Sequence, residues 1–296
     1  MARLKRPISG WLVLDKPLGM TSTQAVGKVR WLYAAEKAGH AGTLDPLATG
    51  LLPIALGEAT KTVSFAQAGT KRYRFDIEWG SETTTDDAEG EVVATSDSRP
   101  SEAELRSVLP RFTGTILQRP PAFSAILVNG ERAYDLARAG EAVELAERPV
   151  TISELALLRH DKDRSTLELA CEKGTYVRAL ARDLARALAT RGHVTSLRRT
   201  AVGAFTEAAA VTLDALEAGP SRDALLEPLA AVLGHVPELR LTPDDAAAVR
   251  NGGAVLLRGA GAPLELAEAW ASSGGSAVAI GSVRRGQFQP SRVLRA

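Results

Sequence analysis

The segment Gly39-His40-Ala41-Gly42-Thr43-Leu44-Asp45-Pro46-Leu47-Ala48-Thr49-Gly50 gathers residue types suited to chemistry on a ligand. Asp45 precedes a proline, which biases its backbone toward extended values and stiffens the placement of its carboxylate. Gly39, Gly42 and Gly50 leave room for a ligand or another backbone to come close. An exposed aspartate is anionic at neutral pH, so it serves as a nucleophile without an activating base. The same residues also describe an Asx-turn with structural glycines, and the loop alone leaves both readings open. A second set is Lys173-Gly174-Thr175-Tyr176-Val177-Arg178, a strand exit that turns through Gly174 into a helix. Arg178, Arg182 and Arg186 recur at spacing four, away from the stripe of Val177, Leu180, Ala181, Leu184 and Leu188. Arg191, Arg198 and Arg199 follow, and beyond Glu172 only Asp183 offsets the run. These arginines read either as a solvated helix face or as a local patch for a polyanion. Arg178 differs because an anion in the first turn also feels the helix N-terminus.

Other chemistries lack their residues. There is no phosphate-binding Gly-x-x-x-x-Gly-Lys-Ser/Thr and no Gly-x-Ser-x-Gly elbow. Gly259-Ala260-Gly261-Ala262-Pro263-Leu264 has half a dinucleotide fingerprint and then a proline. Four histidines without His-Glu-x-x-His and a single cysteine, Cys171, give no zinc or iron–sulfur ligand set. Cys171 ends an alternating run and is expected to be a buried strand thiol. A glycoside hydrolase with paired carboxylates needs a second acid near Asp45, and Glu58 is the nearby option. An RNA-binding or RNA-folding helper with no chemistry at Asp45 is the alternative from another class.

The elements that must position these residues follow from periodicity. The chain has 296 residues with 45% hydrophobic content, enough for one large globular domain and a small one. Its net charge of +1 means that any nucleic-acid surface is local. No apolar stretch approaches the about 18 residues needed to span a bilayer. Trp11 to Leu14 is too short for the apolar region of a signal peptide, so a soluble, cytoplasmic protein is expected. Trp11 to Leu14 reads as a buried strand, and Thr21 or Ser22 caps the helix that follows. Lys71 to Trp79 alternates, with Tyr73, Phe75, Ile77 and Trp79 on one face. Glu82 to Glu91 reads as an acidic loop and Glu102 to Leu109 as a helix. Residues 118 to 149 look like an arm with a short helix around Tyr134 to Arg138. Strands are expected at Val150 to Leu158 and Ser165 to Cys171, and a helix at Tyr176 to Ala189. Pro237 marks a boundary near 235, beyond which Ala254 to Leu257 and Ala277 to Ile280 are strand-like.

The segment from Gly39 to Gly50 resembles the signature of the TruB family of pseudouridine synthases. Leu12-Val13-Leu14-Asp15-Lys16-Pro17-Leu18-Gly19-Met20-Thr21-Ser22 is similar to the family's opening motif. Lys71-Arg72-Tyr73, Gln118-Arg119-Pro120-Pro121-Ala122-Phe123-Ser124-Ala125 and Lys173-Gly174-Thr175-Tyr176-Val177-Arg178 resemble its later motifs, in order. The likeness is strong from about 10 to 205 and weak toward the C-terminus. It implies a mixed α/β (α+β) fold. Residues 1–235 would form the catalytic domain around a bent, mostly antiparallel sheet, with 118–149 as an RNA-gripping thumb. Residues 236–296 would form a small β-rich, PUA-like RNA-binding module.

The resemblance also implies an activity: isomerisation of uridine 55 in the T-loop of elongator tRNAs, with no metal and no other cofactor. The partner would be the T-arm stem-loop of tRNA, with no guide RNA, no membrane and a monomeric enzyme. The guide-dependent type lacks the thumb. Asp45 would be the catalytic carboxylate; attack on the ribose, attack on the base and a glycal route all stay open. Arg178 resembles the arginine that pairs with it and holds it ionised, and Tyr73 the residue that stacks on the target base and shuttles a proton. As a core-face strand tyrosine, Tyr73 explains the alternation equally well. His40 resembles the residue that fills the vacated stack, and Tyr176 and Leu197 match positions lining the uracil pocket. Gly42, Thr43 and Leu44 of the signature, with Lys16 of the opening motif, complete the substrate set, although Lys16 could instead pack the loop. Arg132, Arg138, Arg182 and Arg198 are the further RNA contacts expected. One departure stands out: Leu127 occupies the place of the family's usual lysine after Ser124-Ala125, which puts one phosphate contact in doubt.

Overall fold

The computed structural model describes residues 4–295 apart from 125, 129, 140, 142–144, 220 and 260. The chain divides into two compact units, one of Met1–Leu44, Leu51–Ala68 and Gly203–Ala296, the other of Asp45–Gly50 and Gly69–Val202.

The second unit is built on the strand Lys71–Trp79. Its alternation sends Phe75, Ile77 and Trp79 into the core and leaves Arg74 exposed. Arg164–Cys171 pairs with it antiparallel on one side, with Leu167 opposite Phe75 and Leu169 opposite Tyr73. Arg148–His160 and then Gly114–Gln118 extend that side, again antiparallel. On the other side lies Gly192–Val202, with Leu197 opposite Phe75 and Arg199 opposite Tyr73. Periodicity does not reveal this strand, because Thr195, Ser196, Arg198 and Arg199 make it look like a polar loop. Its Val194, Leu197 and Val202 are nevertheless buried. Ala48, Thr49 and Gly50 pair in parallel with its Leu197, Arg198 and Arg199. The helix Val177–Ala187 packs on Gly192–Val202 and Lys71–Trp79, burying Val177, Leu180, Ala181 and Leu184. Cys171 is a buried free thiol in its strand, as expected, and burial pushes it up to about 11. The acidic segment is more ordered than a plain loop: Ser81–Thr83 pairs with Val92–Thr95, and Asp86 and Asp87 between them are buried.

In the first unit the strand Gly10–Lys16 is buried along Trp11 to Leu14. The helix Ser22–Tyr33 follows; Thr21 is its cap, in a reciprocal capping box with Gln24. Ala38–His40 pairs antiparallel with the Ile54-to-Leu56 end of the strand Ala48–Leu56. From Glu238 to Val293 the chain forms a five-stranded sheet, antiparallel except where Glu238–Arg240 runs beside Leu266–Ser273. The helix Pro243–Arg250 contributes Ala246 and Val249 to a core shared with Val278, Val283 and Phe288. The strand-like runs of the sequence fall in Val255–Leu256 and Ser276–Arg284. The helix gives no periodic signal in the sequence because its apolar face is so small. Among the described residues no helix is long and apolar enough to cross a membrane.

Candidate active site

Asp45 is held by a turn. Asp45-Pro46-Leu47-Ala48 closes through the Ala48 N–H donating to the Asp45 carbonyl at 3.0 Å, with proline in the second position, where its fixed φ suits the turn. The turn feeds directly into the three residues paired with Leu197-Arg198-Arg199, so the sheet anchors the carboxylate from its C-terminal side. At Gly50 φ is +95°, and a Cβ there would overlap the Arg199 backbone. Gly50→Ala is therefore expected to destabilise the fold by at least about 2 kcal/mol. An unchanged melting temperature would show that this backbone approach is not fixed. In the first unit, the Ser22 hydroxyl accepts from the Leu44 N–H at 2.8 Å and donates to the Leu44 carbonyl at 2.9 Å, clamping the residue before Asp45. Of the two hydroxyls read as possible helix caps, one caps and the other grips this loop.

Arg178 sits in the first turn of Val177–Ala187 with its side chain 7% exposed. Tyr176, at the cap position, makes no side-chain cap of its own. Instead the Gln118 amide accepts from the Tyr176 N–H at 2.8 Å and donates to its carbonyl at 3.1 Å. The Arg178 guanidinium then bridges two carboxylates. Its Nη2 lies 2.9 Å from Asp45 Oδ2 and donates to the Phe123 carbonyl at 3.0 Å. Its Nη1 donates to the Thr85 carbonyl at 2.9 Å and lies 3.4 Å from Asp87 Oδ2. The two carboxylates differ in access: the Asp87 side chain is 3% exposed and that of Asp45 38%. A buried partner compensates the buried guanidinium, and the open one can meet a ligand.

One turn on, Arg182 is also buried, 2.8 Å from Asp86 and 2.9 Å from Asp183, and it donates to the Arg119 carbonyl at 2.7 Å. Burial pushes Asp86 up to about 6, with Arg182 opposing. Arg186 pairs with Glu82 at 2.6 Å. The arginines at spacing four thus face the acidic segment 82–91. Neither a solvated face nor an open basic patch describes Arg178 and Arg182, whose charges are engaged inside the protein. Sequence-local counting missed their counterions because these lie about ninety residues upstream along the chain. Asp86, Asp87 and Gln118 are the site residues that sequence reasoning did not single out. The run Thr84-Thr85-Asp86-Asp87 in an otherwise acidic loop was the available signal.

Tyr73 is half-buried in its strand between Leu169 and Arg199, and burial pushes its phenol up while Arg199 opposes. Burial likewise raises the phenol of half-buried Tyr176, and the Asp45 charge acts on both rings. Leu197 is buried, opposite Phe75 and Ala48. Asp45, Tyr73, Tyr176, Arg178 and Leu197 therefore belong to one unit. Arg198 is half-buried, opposite Arg74. Arg132 and Arg138 lie in Glu131–Arg132 and Ala133–Arg138, and their side chains are outside the described residues. Leu127 is 64% exposed.

Lys16, His40, Gly42, Thr43 and Leu44 belong to the other unit. Lys16 is fully buried and donates to the Pro17 and Met20 carbonyls at 3.0 and 2.7 Å, bracing its own turn. His40 pairs with Ile54, Gly42 takes φ +117°, Thr43 is exposed and Leu44 is buried.

The fold recurs in known proteins. A solved structure described as an H/ACA RNP bound to a substrate RNA containing 2'-deoxyuridine superposes with a TM-score of 0.74 at 21% identity, covering 97% of this chain and 85% of that one. A Cbf5-Nop10-Gar1 complex gives 0.72 at 24% identity, covering 97% and 84%. The fold is that of the pseudouridine synthases, with a β-rich C-terminal module.

The TruB family pseudouridylate synthase N-terminal domain matches residues 30–177, and the tRNA pseudouridylate synthase B C-terminal domain matches 178–234. Proteins named tRNA pseudouridine synthase B from Mesorhizobium japonicum and Agrobacterium fabrum are 50% and 53% identical, each over 98% of this chain and over 97% and 95% of their own lengths. The chain belongs to the TruB family of pseudouridylate synthases.

Proposed function

We propose that the protein isomerises uridine to pseudouridine in tRNA, at position 55 of the T-loop of elongator tRNAs, with Asp45 as the catalytic carboxylate. The observation that carries this reading is the half-open Asp45 carboxylate held 2.9 Å from a buried arginine, on a family fold whose relatives are named for tRNA pseudouridine synthesis. The reaction breaks the N1–C1′ bond and forms a C5–C1′ bond; the C5 proton leaves to solvent and N1 takes up a proton in its place. No electrons are gained or lost, so the proposal needs no redox cofactor and assigns no metal.

A uridine stacked in a loop must first be flipped out, at a cost of a few kcal/mol. In this reading His40 fills the vacated stack, while Tyr176 and Leu197 line the pocket for the uracil ring. Gly42, Thr43 and Leu44 are further substrate contacts, while Lys16 braces the turn from Pro17 to Met20. Tyr73 stacks on the base and moves the proton. Tyr73→Phe is expected to keep KM while lowering kcat at least about a hundredfold, the lower end for a lost general acid or base. An unchanged kcat would deny the phenol that role.

Residues 1–235 are assigned to catalysis and 236–296 to RNA binding, with 118–149 as a thumb. Within that arm Leu127–Val128 pairs with Glu131–Arg132 ahead of the helix Ala133–Arg138, which supports action without a guide RNA. Arg132 and Arg138 in the arm and Arg198 in Gly192–Val202 are the proposed RNA contacts. The test is to treat an unmodified tRNA transcript with the protein, then map pseudouridine by carbodiimide labelling and primer extension. A single stop at position 55 is expected; stops elsewhere, or none, would refute the assignment.

A further inference from the structure

In the first unit, the 3₁₀ turn Gly57–Thr62, the helix Val63–Ala68 and the final strand Gln287–Val293 with Arg295 enclose a cleft of ≈ 860 Å³. Four cations line it, Lys37, Lys61, Arg292 and Arg295, against one carboxylate, Glu58. That carboxylate is already satisfied: Lys61 lies 2.7 Å away and the Arg295 N–H donates to it at 2.8 Å. Despite partial burial, these donors hold Glu58 below its ordinary range. Lys61 also donates to the Val293 carbonyl at 2.7 Å, and Arg292 to the Lys61 carbonyl at 3.1 Å, so the walls are tied together by backbone contacts. What faces outward is the excess charge of Lys37, Arg292 and Arg295, all exposed.

This concentration of charge is local, in a chain whose net charge is only +1. The remaining lining is mainly hydroxyl and amide groups, with only Val63 and Val293 apolar and no aromatic ring. A site without aromatic rings offers bases nothing to stack on, whereas cations and hydroxyls suit phosphate oxygens. The volume far exceeds a single phosphate and suits a run of backbone.

We propose that this cleft is a phosphodiester-binding site that grips the backbone of the RNA substrate by charge, without reading its sequence. The inference rests on the tRNA reading above and adds to it a contact region outside the unit that carries Asp45.

The test compares Lys37→Gln/Arg295→Gln with a control of equal charge change, Arg111→Gln/Lys162→Gln, whose side chains are exposed in the other unit. Binding of a full-length tRNA transcript is measured over a range of KCl concentrations, with turnover at saturating tRNA and circular dichroism alongside. For the cleft variant, the slope of log K against log[salt] should fall by about 1 to 2, since each phosphate that is no longer neutralised removes about 0.7 to 0.9. KM should rise and kcat should hold. A second transcript with its stem base pairs exchanged should show the same reduction in slope.

An unchanged slope and affinity, or an equal reduction in the control, would overturn the proposal. If the cleft variant binds like wild type while wild type isomerises uridine, the cleft fails and the activity stands. If wild type binds tRNA through the cleft but never isomerises it, the activity fails and the cleft stands. Lys37→Gln alone, expected to lower the slope by about half as much, repeats the test should the double variant misfold.

Discussion

Asp45→Ala is expected to end turnover, leaving less than about one thousandth of the wild-type rate, while tRNA affinity stays within a few-fold. The other carboxylate on Arg178 cannot take over. Asp87 is 3% exposed and lies on the opposite edge of the Arg178 guanidinium, 3.4 Å from Nη1. The fold should tolerate the change, because Arg178 keeps Asp87 and the Thr85 and Phe123 carbonyls. Removing an exposed anion from a surface that meets phosphates should not weaken binding. Asp45→Asn, which keeps the shape and removes the charge, should be equally inactive. Appreciable turnover by either variant would remove the carboxylate from the chemistry.

Arg178→Ala should have the second largest effect, and it should strike stability as well as rate. The truncation leaves Asp87 buried without its cation and two carbonyls without their donor. Breaking one side of such a pair costs about 3–5 kcal/mol, which a fall in melting temperature would report. Turnover should be lost too, since Arg178 is what pairs with the Asp45 carboxylate. Arg178→Lys separates the two effects. A lysine keeps the charge but lacks the planar fork that reaches Asp45 and Asp87 together, so stability should largely recover while kcat stays low. Arg178→Met combined with Asp87→Leu should regain the part of the stability lost to the unpaired buried charge, without activity. Full activity in the lysine variant would mean that charge, and not the two-sided geometry, is what Arg178 supplies.

The elements with clean periodicity were legible in the sequence. Lys71–Trp79 and Val177–Ala187 appear where alternation and helical spacing place them, and Cys171 is the buried strand thiol that its run implied. The strand Gly192–Val202 was not legible. Its central place in the second unit lets it hold Arg198 and Arg199 between paired neighbours, and no local pattern encodes such a strand. The helix Pro243–Arg250 was missed for a related reason: two small residues, Ala246 and Val249, provide its buried face. At the site, Asp45 and Arg178 could be singled out from residue type and spacing, and their pairing, 2.9 Å in the structure, was expected only from the family resemblance. Asp86 and Asp87 bind the arginines across long sequence separations, and only tertiary structure brings a loop and a helix face together. The clamp of Ser22 on Leu44 was hidden in the same way, since a hydroxyl at a helix start reads equally well as a cap.

Tritium release gives the sharpest test of uridine isomerisation by Asp45. An unmodified tRNA transcript labelled at C5 of uridine is incubated with the purified protein in EDTA without added cofactor. Isomerisation expels the C5 hydrogen, so the wild type should release one label per tRNA and Asp45→Ala none. Tight tRNA binding without release, or release that survives in Asp45→Ala, would contradict the assignment.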